Sequence, residues 1–397
     1  MDGGIFLRGV FLDKDKIPYD IVTKKLNDWY TLIKDDQVEH AEIIKIEVEK
    51  ELLNMEENQD ALLYYQLLDF RHEIMLSYMK SKEIDDLNNA YETIKEIEKQ
   101  GQLTGMLEYY FYFFKGMYEF RRKELTSAIS AYRIAESKLS EVEDEIEKAE
   151  FFFKVSYVYY YMKQTYFSMN YANRALKIFR EYEEYAVQTV RCQFIVAGNL
   201  IDSLEYERAL EQFLNSLEIA KGSNIEHLIA MSHMNIGICY DELKEYKKAS
   251  QHLILALEIF EKSKHSFLTK TLFTLTYVEA KQQNYDVALI YFRKGRFIAD
   301  KSDDKEYSAK FKILEGLFFS DGETQLIKNA FSYLASRKMF ADVENFSIEV
   351  ADYFHEQGNL MLSNEYYRMS IEARRKIKKG EIIDENQPDS IGSSDFK

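Results

Sequence analysis

Residues 194–213 read FIVAGNLIDSLEYERALEQF, residues 234–253 read MNIGICYDELKEYKKASQHL, and residues 273–292 read FTLTYVEAKQQNYDVALIYF. Aligned, they place Tyr206-x-x-Ala209 over Tyr246-x-x-Ala249 and Tyr285-x-x-Ala288, at alanine spacings of about 40 and 39 residues. Looser copies stand at Leu125-x-x-Ala128, Tyr166-x-x-Met169 and Leu360-x-x-Ser363. Twelve residues before the last member of each motif the side chain is small in Gly116, Ala197, Gly237, Thr276 and Ala351, with Tyr157 the exception. Four residues after it comes a large side chain: Tyr132, Phe213, Leu253, Phe292 and Tyr367.

Small residues where two helices cross closely, and large ones filling the gaps between pairs, form the tetratricopeptide pattern. Its usual period is about 34 residues, so a period near 40 implies longer helices or loops. Such a stack presents a long concave surface suited to peptides and proteins.

Composition agrees with an all-α chain. Of 397 residues only Pro18 and Pro388 are proline, and only 15 are glycine. Turn-rich sheet folds need more of both. Three amphipathic patterns outside the repeat precede it: Val22, Leu26, Trp29 and Ile33; Ala41, Ile44, Val48 and Leu52; Leu63, Leu67, Phe70 and Ile74. Their three- and four-residue steps predict helices, with breaks at Asp35-Asp36 and Glu57-Asn58. The expected organisation is a flexible N-terminus over 1–17, a three-helix bundle over 18–80 and a helical connector over 81–103. A repeat array over 104–380 and a disordered tail over 381–397 follow.

The net charge of −16 disfavours nucleic acid or an anionic membrane as the main partner. It favours ligands that carry positive charge. A DNA-reading bundle is also disfavoured, because residues 11–80 hold 9 Lys/Arg against 16 Asp/Glu. No stretch has the 18 or so apolar residues of a membrane span. Cys192 and Cys239, both in apolar helical stretches, read as buried thiols of a reducing compartment. A cytoplasmic location is expected.

Signatures of self-sufficient catalysis are missing. There is no Gly-rich phosphate loop, no Cys-x-x-Cys and no Gly-x-Ser-x-Gly. His72-Glu73 and His355-Glu356 lack the second histidine of a helical zinc site. Residue chemistry alone therefore points to a binding protein with no metal site of its own.

Several segments resemble the Rap family of Bacillus regulators: KLNDWY at 25–30, MEENQDALLYYQLLDFRHEIML at 55–76, LTGMLEYYFYFFKGMYEF at 103–120, EKAEFFFKVSYVYYYMKQT at 147–165 and FIVAGNLIDSLEYERAL at 194–210. The similarity spans about residues 18–380. It implies a cytoplasmic quorum-sensing switch whose bundle binds a response regulator or transcription regulator. It also implies inhibition by a short Phr-type peptide, secreted and then returned to the cell. Family phosphatases insert a bundle glutamine into the regulator's active site, and here that residue is Gln59. The Mg²⁺ would come from the response regulator, so the chain needs no cofactor of its own. A neutral amide can orient the attacking water, as glutamine does in GTPases. Glu57, Leu62 and Phe70 match positions that pack against the target. Asn58 departs from the acidic residue that can precede the glutamine, which leaves open a non-catalytic relative acting by binding alone, as in proteins that control mobile elements. For the peptide, the resemblance implies Asn235 and Asp202, early and late in their helices, with Asn199 one turn before Asp202. An asparagine amide can both donate to and accept from a peptide backbone, and Asp202 could pair with a ligand cation.

Overall fold

The structure, a computed structural model, describes residues 16–79, 84–99, 101, 103–320 and 322–379. Most of the expected flexible N-terminus, the expected tail, and parts of the expected connector lie outside the described residues. So does Asp321. The described residues are helical throughout, as composition predicts, and their only β-type pairing is one isolated bridge between Ile17 and Met55. None of the helices is long and apolar enough to cross a membrane.

The chain divides into two compact units, one ending at Asp144 and one beginning at Glu145. The first contains α1 (Tyr19–Lys34), α2 (Val38–Leu52), α3 (Gln59–Met79), α4 (Ile84–Lys99), α5 (Gly105–Arg121) and α6 (Leu125–Ser137). The expected apolar face of α1 is its buried face: Val22, Leu26, Trp29 and Ile33 are wholly enclosed. Trp29 is too large to bury without satisfying its indole N–H, and Nε1 donates to Nδ1 of the buried His72, 2.9 Å away.

Helix α4 is more than a charged connector. Leu87, Tyr91, Ile94 and Ile97 recur at helical spacing and are all buried. Tyr91 stacks on Tyr118 with ring centroids 4.2 Å apart, and both rings contact Phe70 of α3. Burial of four such side chains is worth several kcal/mol, at about 1.5–3 kcal/mol each. That binds α4 to α3 and α5.

The second unit is a run of helical hairpins. They pair α7 (Glu145–Tyr161) with α8 (Thr165–Phe179), α9 (Ala186–Asp202) with α10 (Tyr206–Gly222), and α11 (Glu226–Glu242) with α12 (Tyr246–Ser263). Then come α13 (Leu268–Lys281) with α14 (Tyr285–Lys301), α15 (Lys305–Leu314) with α16 (Thr324–Ser336), and α17 (Phe340–Glu356) with α18 (Leu360–Lys379). Ala209, Ala249 and Ala288 are fully buried at the crossings. The opposing small residues are needed there: a Cβ on Gly237 would lie 2.6 Å from Cγ of Leu253. Cys192 and Cys239 are buried free thiols, as read from sequence.

Two details differ from the periodic reading. In the α7–α8 hairpin the repeat frame is one residue earlier. Thr165 opens α8, Ser168 is the buried residue, and Tyr166 stands 77% exposed. The crossing is made by a serine pair, with Ser168 Oγ donating to the carbonyl of Ser156 at 3.0 Å. The α15–α16 hairpin falls outside the periodic motif. Its crossing pairs Gly316 with Ile327, and a π turn over Glu315–Phe319 interrupts the helical register there.

Candidate functional sites

In the first unit the α2–α3 loop is held at both ends. Ile17 donates its N–H to the carbonyl of Asn54 (2.8 Å), and Glu56 donates to the carbonyl of Ile17 (2.9 Å). Met55 is buried against Val22 and Ala61. Asn58 caps α3, its Oδ1 accepting from the N–H of Ala61 at 2.9 Å. Asparagine is among the residues best suited to that position. Gln59 is thus the first residue of a capped helix on a pinned loop, and it is exposed.

Gln59 and Leu62 line a groove of about 510 Å³ with Leu52, Leu53, Tyr65 and Gln66. Leu62 is 38% exposed and Leu53 86%. Two such leucines in water form an apolar surface beside the neutral amides of Gln59 and Gln66, and the lining also holds Glu49, which accepts from the Tyr65 hydroxyl at 2.9 Å. Glu57 is exposed on the loop. Phe70 is a correction: at 1% exposure it is a core ring against Tyr91 and Tyr118 and offers no surface to a partner. The sequence reading missed Leu53, Tyr65 and Gln66. Tyr65 and Gln66 lie one turn along α3 from Leu62, whereas Leu53 follows the end of α2 and is brought to the groove only by the fold.

In the second unit the first helices α7, α9, α11 and α13 pack side by side. Asp202 ends α9 and is engaged: Nζ of Lys163, in the α7–α8 turn, donates to its two carboxylate oxygens at 2.7 and 2.9 Å. Asn199 points inward instead. It is 1% exposed, and its amide donates to Ser168 Oγ (2.7 Å) and to the carbonyl of Ile195 (2.8 Å). One helical turn from Asp202, it serves the crossing between hairpins, which corrects the expectation that it contacts a ligand. Asn235 stands near the middle of α11, not early in it, and is half-buried. No side-chain hydrogen bond occupies its amide among the described residues.

Around Asp202 the surface is acidic. Burial pushes the Asp241 carboxyl up to about 6, and it also raises that of Glu242, which interacts with Asp202 and bonds to Tyr206. Asp241 Oδ1 is shielded from solvent and has no hydrogen-bond partner. Lys281 offsets part of this charge from 3.7 Å away from Glu349. The sequence reading missed Lys163, Asp241 and Lys281, although each lies at a helix end or turn that the repeat defines. No group of three or more metal-ligating side chains occurs among the described residues.

Comparison with known proteins adds the following. Residues 16–77 match the family model described as response regulator aspartate phosphatase H, N terminal, and residues 196–262 match a tetratricopeptide repeat model. The chain is 96% identical over 391 residues to response regulator aspartate phosphatase I of Bacillus subtilis (strain 168), covering 98% of this chain and 100% of that protein. Among solved structures it is similar to the apo form of RapI, with a TM-score of 0.73 at 95% identity, covering 92% of this chain and 100% of that one. It is also similar to a Rap protein complexed with competence and sporulation factor, with a TM-score of 0.82 at 39% identity, covering 91% and 100%.

Proposed function

Since the chain belongs to the Rap family of response regulator aspartate phosphatases, we propose that it docks a response regulator on the groove beside Gln59 and releases phosphate from that partner's aspartyl phosphate. The observation that carries this reading is Gln59 itself, an exposed neutral amide opening α3 beside exposed Leu53 and Leu62. The leucines supply apolar contact. Gln59 orients a water in line with the leaving oxygen and needs no charge to do so.

The surroundings limit what can bind. Glu56, Glu57 and Asp60 are exposed beside Gln59. They would repel a bare phosphate, so the phosphoryl group must arrive already neutralised. Mg²⁺ held by the response regulator would supply that neutralisation. The free N–H groups at the start of α3 add a weak attraction for the same group.

A short Phr-type peptide is the proposed inhibitor; a similar Rap protein is solved in complex with competence and sporulation factor. Asp202 takes its basic side chain and Asn235 its backbone. Both partners act in the cytoplasm. Thermodynamic linkage then requires peptide and regulator to weaken each other's binding equally.

Asn58 favours a second reading. Its side chain is committed to the helix cap and brings no acid to the chemistry. The chain would then hold a transcription regulator without catalysis. Capture of phosphorylated and unphosphorylated regulators from cytosol, followed by a phosphate-release assay with and without EDTA, separates the two. Mg²⁺-dependent release supports the phosphatase. Tight capture with no release supports binding alone.

A further inference from the structure

We propose that Lys163 is an internal substitute for the ligand's cation: it occupies Asp202 in the absence of peptide, and the peptide binds by displacing it. The inference rests on the reading of Asp202 as the residue that receives the peptide's basic side chain.

The geometry is that of a ligand contact made by the protein itself. Both carboxylate oxygens of Asp202 accept from one ammonium, at 2.7 and 2.9 Å. The two side chains come from different hairpins and remain 32% and 22% exposed, within reach of an incoming group. Lys163 also lies over the Tyr160 ring, 5.6 Å from its centroid.

The backbone beneath Lys163 is common to these turns, since Lys123 and Lys244 adopt the same left-handed conformation between their own helices, so what sets Lys163 apart is the acid it faces. The φ of Lys163 is +57°, the left-handed region that glycine adopts without penalty. The corresponding turn of the next hairpin has Leu204 at φ +61°. The corresponding helix end there is Glu242, which bonds to Tyr206. The acid therefore recurs along the repeat, but the lysine facing it does not.

Electrostatics make this an exchange. Asp202 interacts with Glu242, whose carboxyl burial already pushes up. Withdrawing Lys163 with nothing in its place leaves these two acids facing each other. A ligand guanidinium that enters as the lysine leaves keeps the charge balanced. It also fits a carboxylate in two-point fashion, which an ammonium does only as a point charge. The lysine thus holds the site closed to weak or neutral ligands and yields to an arginine.

The test uses the full chain and five acetylated pentapeptides, each of four alanines and one arginine, with the arginine at every position in turn. A matched set carries neutral citrulline. Calorimetry at low salt compares wild type, Lys163→Met, Lys163→Arg and Asp202→Asn. The gain should match a partly exposed ion pair, so Lys163→Met should bind the best arginine peptide up to about fivefold more tightly than wild type. Lys163→Arg should bind it more weakly than wild type. The citrulline set should not distinguish wild type from Lys163→Met. If Lys163→Met binds the arginine peptide equally or more weakly while Asp202→Asn loses it, the substitution idea is overturned and the peptide site stands. If Asp202→Asn binds like wild type, or no arginine peptide binds any variant, the reading of Asp202 falls and the inference with it.

Discussion

At the start of α3 Gln59 is exposed on a pinned loop, whereas at the end of α9 Asp202 already holds a cation from its own chain. The two regions are prepared for partners in opposite ways. The first keeps its amide and two leucines uncommitted and supports them from behind, through the buried Met55 and the Asn58 cap. Its scaffold is fixed and its working surface is free. The second satisfies its charges internally, so a ligand there must replace an existing contact. A free apolar surface gains from any partner of the right shape. An occupied ionic site gains only from a ligand better than the occupant. The difference fits a folded protein on the one side and a short charged peptide on the other.

The sharpest way to break this contrast is Gln59→Ala. At a helix start on the surface it should change stability by less than about 0.5 kcal/mol. Binding of phosphorylated regulator should survive through Leu53 and Leu62. Phosphate release should fall on the order of 10²-fold, because the water loses its alignment. Single-turnover release beside a binding titration checks it. An unchanged rate removes Gln59 from the chemistry.

Asp202→Asn should have the next largest effect. It removes the charge that the peptide and Lys163 both use. Loss of a desolvated charge pair costs about 2–5 kcal/mol, and partial exposure brings this to about 2 kcal/mol, or roughly 30-fold in peptide affinity. Asn235→Ala should cost less, about 1 kcal/mol for one neutral hydrogen bond. Regulator binding should be untouched by either when peptide is absent. Calorimetry with each partner in turn reads both expectations.

The sequence disclosed these regions unequally, for physical reasons. The array was legible because close crossings force small residues at a fixed interval, and Gly116, Gly237 and Ala249 obey that rule. The rule failed where a crossing was made differently, by the Ser156–Ser168 pair or after the π turn at Glu315–Phe319. The Gln59 region has no such periodic constraint, and only the likeness to known segments singled it out. Phe70 and Asn199 show the limit of that likeness, since a matched position carries no information on which way a side chain faces. Both face inward here. Lys163 was illegible because its partner lies 39 residues away and is brought near only by stacking.

Acid should loosen one part of the second unit. Burial lowers the pKa of His227, His233, His252 and His265, all on α11, α12 or the turn that follows, and His233 falls to about 4. His233 and His252 also face each other, Nδ1 to Nδ1, at 2.9 Å. In the unfolded chain these rings take up protons near pH 6.5. Between there and about pH 4 the unfolded state binds more protons at these rings, so their contribution is lost as pH falls; Asp241 and Glu242 on α11, raised by burial, bind protons first in the folded state and offset part of that loss, and four rings against two carboxyls leave a net loss around α11–α12. The histidine part of this loss is on the order of 1–2 kcal/mol after allowance for partial exposure. Hydrogen exchange at pH 7 and pH 5, corrected for intrinsic rates, should show loosened protection in α11 and α12. Replacing His233 and His252 by phenylalanine should flatten that dependence.

The smallest effect tests whether Asn58 does anything beyond holding α3. Aspartate caps a helix about as well as asparagine, and a negative charge there is favoured by the helix end. Asn58→Asp should therefore keep Gln59 in place and shift stability by less than about 0.5 kcal/mol. Asn58→Ala should cost about 1 kcal/mol and leave the N–H of Ala61 without its acceptor. If Asn58 is only a cap, phosphate release should change less than about threefold in Asn58→Asp and fall in Asn58→Ala as α3 frays beneath Gln59. A large rise in Asn58→Asp would mean that an acid next to the glutamine takes part in the reaction. The asparagine would then mark a chain tuned away from hydrolysis, and the Gln59 groove would be first a docking surface. Melting curves and single-turnover release on the same two variants separate the cap from the chemistry.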